Sequence, residues 1–322
     1  MKAIQMKATG GIEVLTLAEV AEPPVGENEV KVKLFYAGIN PSDTYIREGG
    51  YASFSPALPY TFGFDGSGII EEIGNNVNNL KTGDRVFIAS TLSAKTTGTY
   101  AEKVVCNMDA VRKLPLTATF EEGASVGVPA AAAYRAVFQR GKLKKGERVL
   151  IHGASGGVGS LAVQMAKHHG AYVIGTAGSP EGMDTVQKCG ADAVLNHHDS
   201  GYLEHIPPVD LVIEMLANVN LEKDLQVIGK YGRIVVVGNR GTLDFNPRLI
   251  MAKEADVLGM ALWNFPPEDY QQCLDTIEEM LESRAIRPVI GKVYPLEEAG
   301  NAQFDVIHKK SQGKLLLKTQ TE

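Results

Sequence analysis

The segment Arg148-Val149-Leu150-Ile151-His152 leads into Gly153-Ala154-Ser155-Gly156-Gly157-Val158-Gly159, and this cluster runs directly into Ser160-Leu161-Ala162-Val163-Gln164-Met165-Ala166-Lys167. The first stretch is a near-continuous apolar strand and the last carries a helical apolar stripe. A strand that turns into a helix through glycines leaves backbone N–H groups pointing at one spot, where the helix dipole also favours negative charge. Gly156 lets a pyrophosphate approach the backbone, and Gly159 lets the helix pack close to the strand. Ala154 stands where the usual G-x-G-x-x-G has its first glycine, so the strand before and the helix after carry the assignment. An ordinary tight turn is the alternative, but four glycines in seven residues cost more chain entropy than a turn requires. The segment predicts a dinucleotide site.

Beyond the cluster, strands and helices alternate. Tyr172 to Thr176, Ala193 to Asn196, Asp210 to Glu214, Arg233 to Gly238 and Asp256 to Ala261 read as strands. Helices are expected from about Pro180 to Cys189 and near Leu221 to Ile228, the second ended by Gly229. Strands apolar on both faces, alternating with helices, imply a doubly wound parallel sheet of the Rossmann kind. The order winds outward from the glycine turn, which puts the segment from Asp256 to Ala261 at a sheet edge. Val257, Leu258, Met260 and Ala261 make a poor edge to leave in water, and such an edge pairs readily with a copy of itself.

Ahead of the cluster lie short strands punctuated by glycine turns: Glu29 to Leu34, Gly66 to Gly74, Gly83 to Ile88 and Tyr100 to Val105. Close spacing of this kind suggests a partly closed β-barrel. Ala- and Gly-rich helix begins near Phe120 to Arg140, and a helix is expected from about Pro267 to Arg284. Val289-Ile290 and Leu315-Leu316-Leu317 could rejoin the barrel. The expected division is a barrel of residues 1–121 and 265–322 around a dinucleotide domain of residues 122–264, an α/β protein. At 322 residues the chain can build two cores.

A net charge of −6 gives no electrostatic footprint for nucleic acid or an anionic membrane. The local run Lys142, Lys144, Lys145 and Arg148 fits a solvated loop. The first residues carry no long apolar h-region, and no apolar stretch reaches the length of a membrane span. Cys106, Cys189 and Cys273 are scattered, which indicates neither a disulfide framework nor a zinc cluster. A cytoplasmic address is expected.

These residues resemble a known family. The barrel-then-glycine-turn order, with Gly83-Asp84-Arg85-Val86 and Ala154-x-Gly156-Gly157-x-Gly159, looks like the medium-chain dehydrogenase/reductase superfamily. Ala37-Gly38-Ile39-Asn40-Pro41, Thr44-Tyr45-Ile46-Arg47, His152 to Gly159 and Glu214-Met215-Leu216-Ala217-Asn218-Val219-Asn220-Leu221 resemble its zeta-crystallin-like quinone oxidoreductases. The resemblance spans nearly the whole chain. It implies a GroES-like barrel beside a Rossmann domain, NADPH-dependent reduction of quinones without metal, and a homodimer joined through the edge strand. Zinc-bearing relatives carry G-x-C-x-[ST]-D where this chain has Gly38-Ile39-Asn40-Pro41-Ser42-Asp43, and Gly-His-Glu where it has Gly63-Phe64-Asp65. Zinc takes thiolate or imidazole ligands in a tetrahedral set, which Asn40 and Phe64 cannot supply. No metal is expected.

Folds that choose NAD usually carry an acid at the end of the second strand. Here that tip reads Thr176-Ala177-Gly178-Ser179, with no acid before Glu181, so a 2′-phosphate meets no carboxylate repulsion. Ser179 could donate a hydrogen bond and His197 could add another or a partial charge. A solvated loop histidine is the alternative for His197, and the adjacent His198 suits it. The resemblance further implies that Ser155, Gly156, Gly157 and Val158 cradle the pyrophosphate. It puts Gly178 and His197 at the adenosine end and Asn220 near the strand-to-helix turn. It also places Val237, Gly238, Asn239, Arg240, Met260, Ala261 and Leu262 beside the cofactor, where plain core packing is the alternative for Val237 and Met260. Tyr45 matches a cofactor-contacting position, against a packed aromatic with a bonded hydroxyl. Tyr51, after Gly49-Gly50, is a candidate wall for a flat substrate. Asn40, Ser42 and Asp43 are the polar cluster at the old metal position, able to polarise a carbonyl or relay a proton, or else to form a satisfied turn network.

The combined expectation is an NADPH:quinone reductase acting on a small planar quinone or another electrophilic carbonyl compound. Two rivals stay open. One is an NADPH-dependent reductase of activated C=C bonds, and the other is an NADPH-binding structural or RNA-binding protein with secondary activity.

Overall fold

The computed structural model describes residues 1–50, 54–91, 96–309 and 312–320. Tyr51 lies outside the described residues. The chain forms two compact units, one of Met1–Val128, Pro266–Arg284 and Pro288–Glu322 and the other of Pro129–Phe265 with Ala285–Arg287.

The first unit opens with β1 (Lys2–Met6), β2 (Leu15–Glu19), β3 (Glu29–Gly38) and α1 (Pro41–Glu48). Asn40 and Asp43 cap α1 reciprocally, Pro41 fits its first turn, and Gly49 ends it at φ 76°. Then come β4 (Tyr60–Thr61), β5 (Asp65–Ile73), β6 (Arg85–Ala89), β7 (Lys103–Asn107), β8 (Val111–Lys113) and α2 (Phe120–Ala124). Thr119 and Glu122 form a capping box that starts α2. Residues 120–128 stay with this unit through β5. Ser67 Oγ donates to the Phe120 carbonyl, and Val128 N donates to Asp65 Oδ1 at 2.7 Å. The unit boundary falls inside α3 (Gly127–Tyr134), which is followed by a π-helical turn over Arg135–Arg140.

The second unit is built from β9 (Arg148–Ile151), α4 (Gly157–His168), β10 (Tyr172–Ala177), α5 (Pro180–Lys188), β11 (Ala193–Asn196) and β12 (Val209–Glu214). It continues with α6 (Ala217–Val227), β13 (Ile228–Val236), α7 (Arg248–Lys253) and β14 (Asp256–Gly259). The six strands run parallel in the order β11-β10-β9-β12-β13-β14. Leu150, Ile174, Val212 and Ile234, one from each of four neighbouring strands, pack into one core with Leu225 and Ile228. As expected, β14 is an edge strand.

One strand starts earlier than its apolar pattern. The fifth strand, expected from Arg233, begins at Ile228, and α6 spans Ala217–Val227 rather than Leu221 to Ile228. Ile228 pairs with Val209, the register then slips, and the ladder resumes with Arg233 opposite Leu211. Tyr231 sits in that break at φ 63°. Lys230 and Tyr231 are exposed, so the irregular stretch has no strand-like alternation to read.

The chain returns to the first unit as α8 (Pro267–Glu282), β15 (Ile290–Pro295), α9 (Ala299–His308) and β16 (Lys314–Lys318). β16 pairs antiparallel with β3, with Leu316 opposite Gly38, and completes a seven-stranded sheet β15-β16-β3-β5-β6-β8 in which β7 also pairs with β3. A three-stranded sheet, β2-β1-β4, accompanies it. Val30, Val32, Leu34, Ile70, Val86, Ile88 and Val104 form the core between these strands. Among the described residues no helix is long and apolar enough to cross a membrane.

Candidate dinucleotide site

The turn after β9 is tied to both neighbouring strands. His152 N donates to the Ile213 carbonyl at 3.1 Å and Ala154 N to the Thr176 carbonyl at 2.9 Å. Gly153 turns the chain at φ 56°, and its carbonyl accepts from Gly156 N at 3.0 Å. A β-carbon at Gly159 would lie 2.2 Å from that same carbonyl oxygen and 2.7 Å from Ala154 Cα, so Gly159 is a packing glycine. Gly156 differs. It has φ −81° as the N-cap of α4, and a β-carbon there would meet only the Gly153 oxygen, at 3.4 Å. The chain's own packing therefore leaves open space over Gly156. The N-cap Gly156 makes no side-chain cap bond to α4, and the first-turn N–H groups of Gly157 and Val158 lie at the positive end of the helix dipole. Ser155 is half-buried beside the start of α5. A backbone cradle of this form fits a pyrophosphate.

The tip of β10 carries no carboxylate from Ala177 to Ser179. Ser179 Oγ accepts from Gly182 N at 3.1 Å and caps α5, which leaves its hydroxyl hydrogen available. A β-carbon at Gly178 would lie 2.5 Å from His197 Nε2 and 2.9 Å from His198 Nε2. Both imidazoles thus lie against Gly178, edge to face with ring centroids 4.6 Å apart, and both are exposed. His198 belongs to this group, although from sequence it only weighed towards a solvated loop. The register of β11 on β10, with Asn196 opposite Ala177, is what brings it there.

The ends of β12, β13 and β14 hold the next group together. The Glu214 carbonyl accepts from Val237 N at 2.8 Å, Ala217 N donates to the Gly238 carbonyl at 3.0 Å, and Met260 N donates to the Val236 carbonyl at 3.1 Å. Asn218 N donates to Asn239 Oδ1 at 3.0 Å while Arg240 N donates to Asn218 Oδ1 at 3.0 Å. Asn218 was not singled out from sequence; its only signal is its place in the segment from Glu214 to Leu221. Asn220 donates from Nδ2 to Glu214 Oε1 at 3.3 Å. Met260 and Ala261 are half-buried, and Leu262 is buried at the start of a single 3-10 turn. Val237, Gly238, Asn239, Arg240 and Met260 therefore lie where the parallel strands end, the usual location of a ligand in such sheets.

In the first unit, the polar cluster of Asn40 and Asp43 is internal. Asn40 is 3% exposed and Asp43 0%. Asp43 Oδ2 accepts from Asn40 N at 2.9 Å and from the Tyr100 hydroxyl at 2.7 Å. Burial pushes the Asp43 carboxyl up to about 7. Asn40 Nδ2 donates to Asp65 Oδ2 at 2.9 Å, and Lys314 Nζ reaches both Asn40 Oδ1 at 2.5 Å and Asp65 Oδ2 at 2.8 Å. Asn40, at the position of the pattern's cysteine ligand, and Asp65, the residue after Phe64, hold an ammonium between them. Of the two roles open to Asn40 and Asp43, the geometry supports the internal network. Ser42 and Tyr45 are half-buried on α1.

Comparison with known proteins agrees with this architecture. Residues 26–116 match the alcohol dehydrogenase GroES-like domain, and residues 157–279 match the zinc-binding dehydrogenase family. The chain is 43% identical to a human quinone oxidoreductase and 44% identical to the mouse protein of that name, in each case over 98% of this chain and 97% of the relative. The crystal structure of Escherichia coli quinone oxidoreductase complexed with NADPH superposes with a TM-score of 0.88 at 28% identity, covering 99% of this chain and 100% of that one. An NAD-dependent alcohol dehydrogenase superposes with a TM-score of 0.90 at 29% identity, covering 99% and 100% respectively.

The Lys314 network generates a stability test. Lys314→Met leaves the Asp65 carboxylate buried without its cation, and the expected loss is about 3–5 kcal/mol in urea unfolding. Adding Asp65→Asn removes the stranded charge and should recover part of it. A single variant as stable as the parent would show that the ammonium is not a structural partner.

Proposed function

The chain belongs to the zeta-crystallin-like quinone oxidoreductases of the medium-chain dehydrogenase/reductase superfamily, and we propose that it reduces small planar quinones with NADPH. One observation carries the reading: the open space over Gly156 at an uncapped helix start, at a position where the protein itself does not need a glycine. In this reading the N–H groups of Gly157 and Val158, with Ser155, hold the pyrophosphate. Gly178, Ser179, His197 and His198 meet the adenosine end, and Asn220 lies beside the cofactor. Val237, Gly238, Asn239, Arg240, Met260, Ala261 and Leu262 orient the carboxamide end. Tyr45 and Tyr51 are assigned, on the resemblance and on the Gly49-Gly50 turn, to the cofactor and to a substrate wall.

When bound, the reduced nicotinamide supplies the reducing electrons. The protein binds, orients and excludes water. A reduced quinone oxygen takes its proton from solvent, so no internal acid is required, and Asn40 and Asp43 are left to their structural network. No metal takes part, since Lys314 already supplies the cation between Asn40 and Asp65. The preference for NADPH over NADH rests on the β10 tip, where two imidazoles and no carboxylate would meet a 2′-phosphate. A cytoplasmic setting accords with the buried thiols of Cys106 and Cys273. The homodimer would form through β14, whose Val257 is exposed at the sheet edge.

Turnover of NADPH with ortho- and para-quinones is expected in the presence of a strong chelator, with 2-alkenals as the comparison. Gly156→Val should fold like the parent yet lose that turnover and NADPH binding, because its side chain fills the open space; turnover on 2-alkenals alone would displace the quinone reading. Ser179→Asp keeps a good helix cap but places an anion at the β10 tip. NADPH affinity should then fall at least about tenfold relative to NADH, and an unchanged ratio in fluorescence titration would refute the NADPH argument. In sedimentation the parent should run as a dimer and Leu258→Pro as a monomer; a monomeric parent removes the edge-strand proposal.

A further inference from the structure

Glu214 ends β12 completely buried, and its two carboxyl oxygens have different fates. Oε1 accepts from Leu216 N and, at 3.3 Å, from Asn220 Nδ2. Oε2 has no hydrogen-bond partner and stands 3.6 Å from His152 Nε2. Asp224, equally buried on α6, shows the same asymmetry. Its Oδ1 lies 2.8 Å from His152 Nε2, whereas Oδ2 has no partner. His152 Nδ1 lies 3.3 Å from Thr176 Oγ1 on β10.

One assignment of protons satisfies the contacts of this group. With its hydrogen on Nε2, His152 donates to Asp224 Oδ1, and the bare Nδ1 accepts from the Thr176 hydroxyl. The ring is then neutral, in keeping with a pKa that burial pushes down. Two carboxylates remain side by side, both next to His152 Nε2 with one oxygen of each within 4.8 Å of the other, and each has an orphaned oxygen. Two bare anions there would repel at low dielectric, and each orphan would carry a desolvation penalty. A single proton removes both problems.

We infer that Glu214 is a neutral acid whose Oε2–H donates to Asp224 Oδ2, and that this shared proton makes Glu214 the positioning residue for the β12–α6 turn bearing Asn220. The link to the cofactor rests on the role proposed for Asn220; the shared proton does not. A divalent cation held by His152, Glu214 and Asp224 is the rival occupant. The 2.8 Å spacing of His152 and Asp224 is a hydrogen bond already made, shorter than the roughly 3.3 Å edge of a tetrahedral shell with bonds of about 2.0 Å.

The other charged and titratable groups facing the pair are Lys223 on α6 and the Tyr202 hydroxyl, itself buried without a partner. Burial, followed by the neighbouring Asp224 charge, pushes Glu214 up to about 7, and burial pushes Asp224 to about 7. These folded-state values lie above the ordinary carboxylate range. The stabilisation is therefore full at acid pH and is lost as pH rises through about 7.

Glu214→Gln is the decisive variant, because its amide N–H donates to Asp224 as the acid does while its oxygen keeps accepting from Leu216 and Asn220. Unfolding midpoints without cofactor should fall for the parent from about pH 6 to about pH 9 and fall less for Glu214→Gln. The parent should show a protonated-carboxyl C=O band in the infrared at neutral pH that Glu214→Gln lacks. NADPH Kd should match within about twofold at pH 6, and the ratio of parent to variant Kd should rise several-fold by about pH 9; any titration of His197 and His198 is common to both proteins and cancels in that ratio. Glu214→Ala should weaken binding at every pH. A missing band, identical pH profiles of stability, or one tightly held metal per chain would overturn the shared proton. A Kd ratio flat in pH would overturn its link to Asn220. Failure of NADPH to bind at all would sink the cofactor reading, with the band and the stability profiles still deciding the proton.

Discussion

The carbonyl of Gly153 governs how the second unit is arranged. It points into the space that a side chain at position 159 would need, and it accepts from Gly156 N to close the turn. α4 can approach β9 this closely only because residue 159 is glycine, and the approach brings the helix start over the carboxyl end of the strand. Hydrogen bonds from His152 and Ala154 then bind the turn to β12 and β10. With three central strand ends fixed together, the outer parts fall into place: the β10 tip receives the two imidazoles, the turns after β12 and β13 are clasped through Asn218 and Asn239, and Met260 N ties the end of β14 to Val236. A cradle for an anion arises from backbone geometry before any charged side chain is placed.

Each unit also buries carboxylates, and each neutralises them differently. In the first, Asp65 is met by the ammonium of Lys314, and the Asp43 carboxyl is served by a tyrosine hydroxyl and a backbone N–H. In the second, Glu214 and Asp224 have no ammonium within their hydrogen bonds; His152 serves one oxygen of Asp224. An anion in a low-dielectric interior needs a cation, a proton or several donors. Lysine supplies the first in the barrel unit. In the proposal made for the second unit, a proton shared by Glu214 and Asp224 performs the same office.

The parts of this molecule that could be read from its residues are those set by neighbours in sequence. The glycine turn, the alternating strands and the Asn40-Asp43 pair declare themselves within a few residues, and the edge position of β14 follows from the order of the strands along the chain. Features that depend on pairing between distant segments did not. Lys314 is 274 residues from Asn40 and 249 from Asp65, and its lone position at the start of Leu315-Leu316-Leu317 marks it only as the flank of a strand. His198 depends on the β10–β11 register and Asn218 on the turn after β13. The early start of β13 was hidden because a register slip at Tyr231 breaks the alternation that would reveal it. Substrate-facing residues are the hardest to find by this route, since a wall for a flat ring needs shape more than any particular residue type.

The proposed cofactor would meet two kinds of electrostatics along its length. At the pyrophosphate, attraction comes from the N–H groups and dipole of α4, which do not titrate and are fixed by the Gly153–Gly159 approach. At the 2′-phosphate, it would come from His197 and His198, exposed imidazoles lying against Gly178. In the proposed reading, general dinucleotide affinity comes from the fold, and discrimination between the two nicotinamide cofactors would come from a few side chains at one strand tip. A tip of this kind can change preference without disturbing the turn that holds the phosphates.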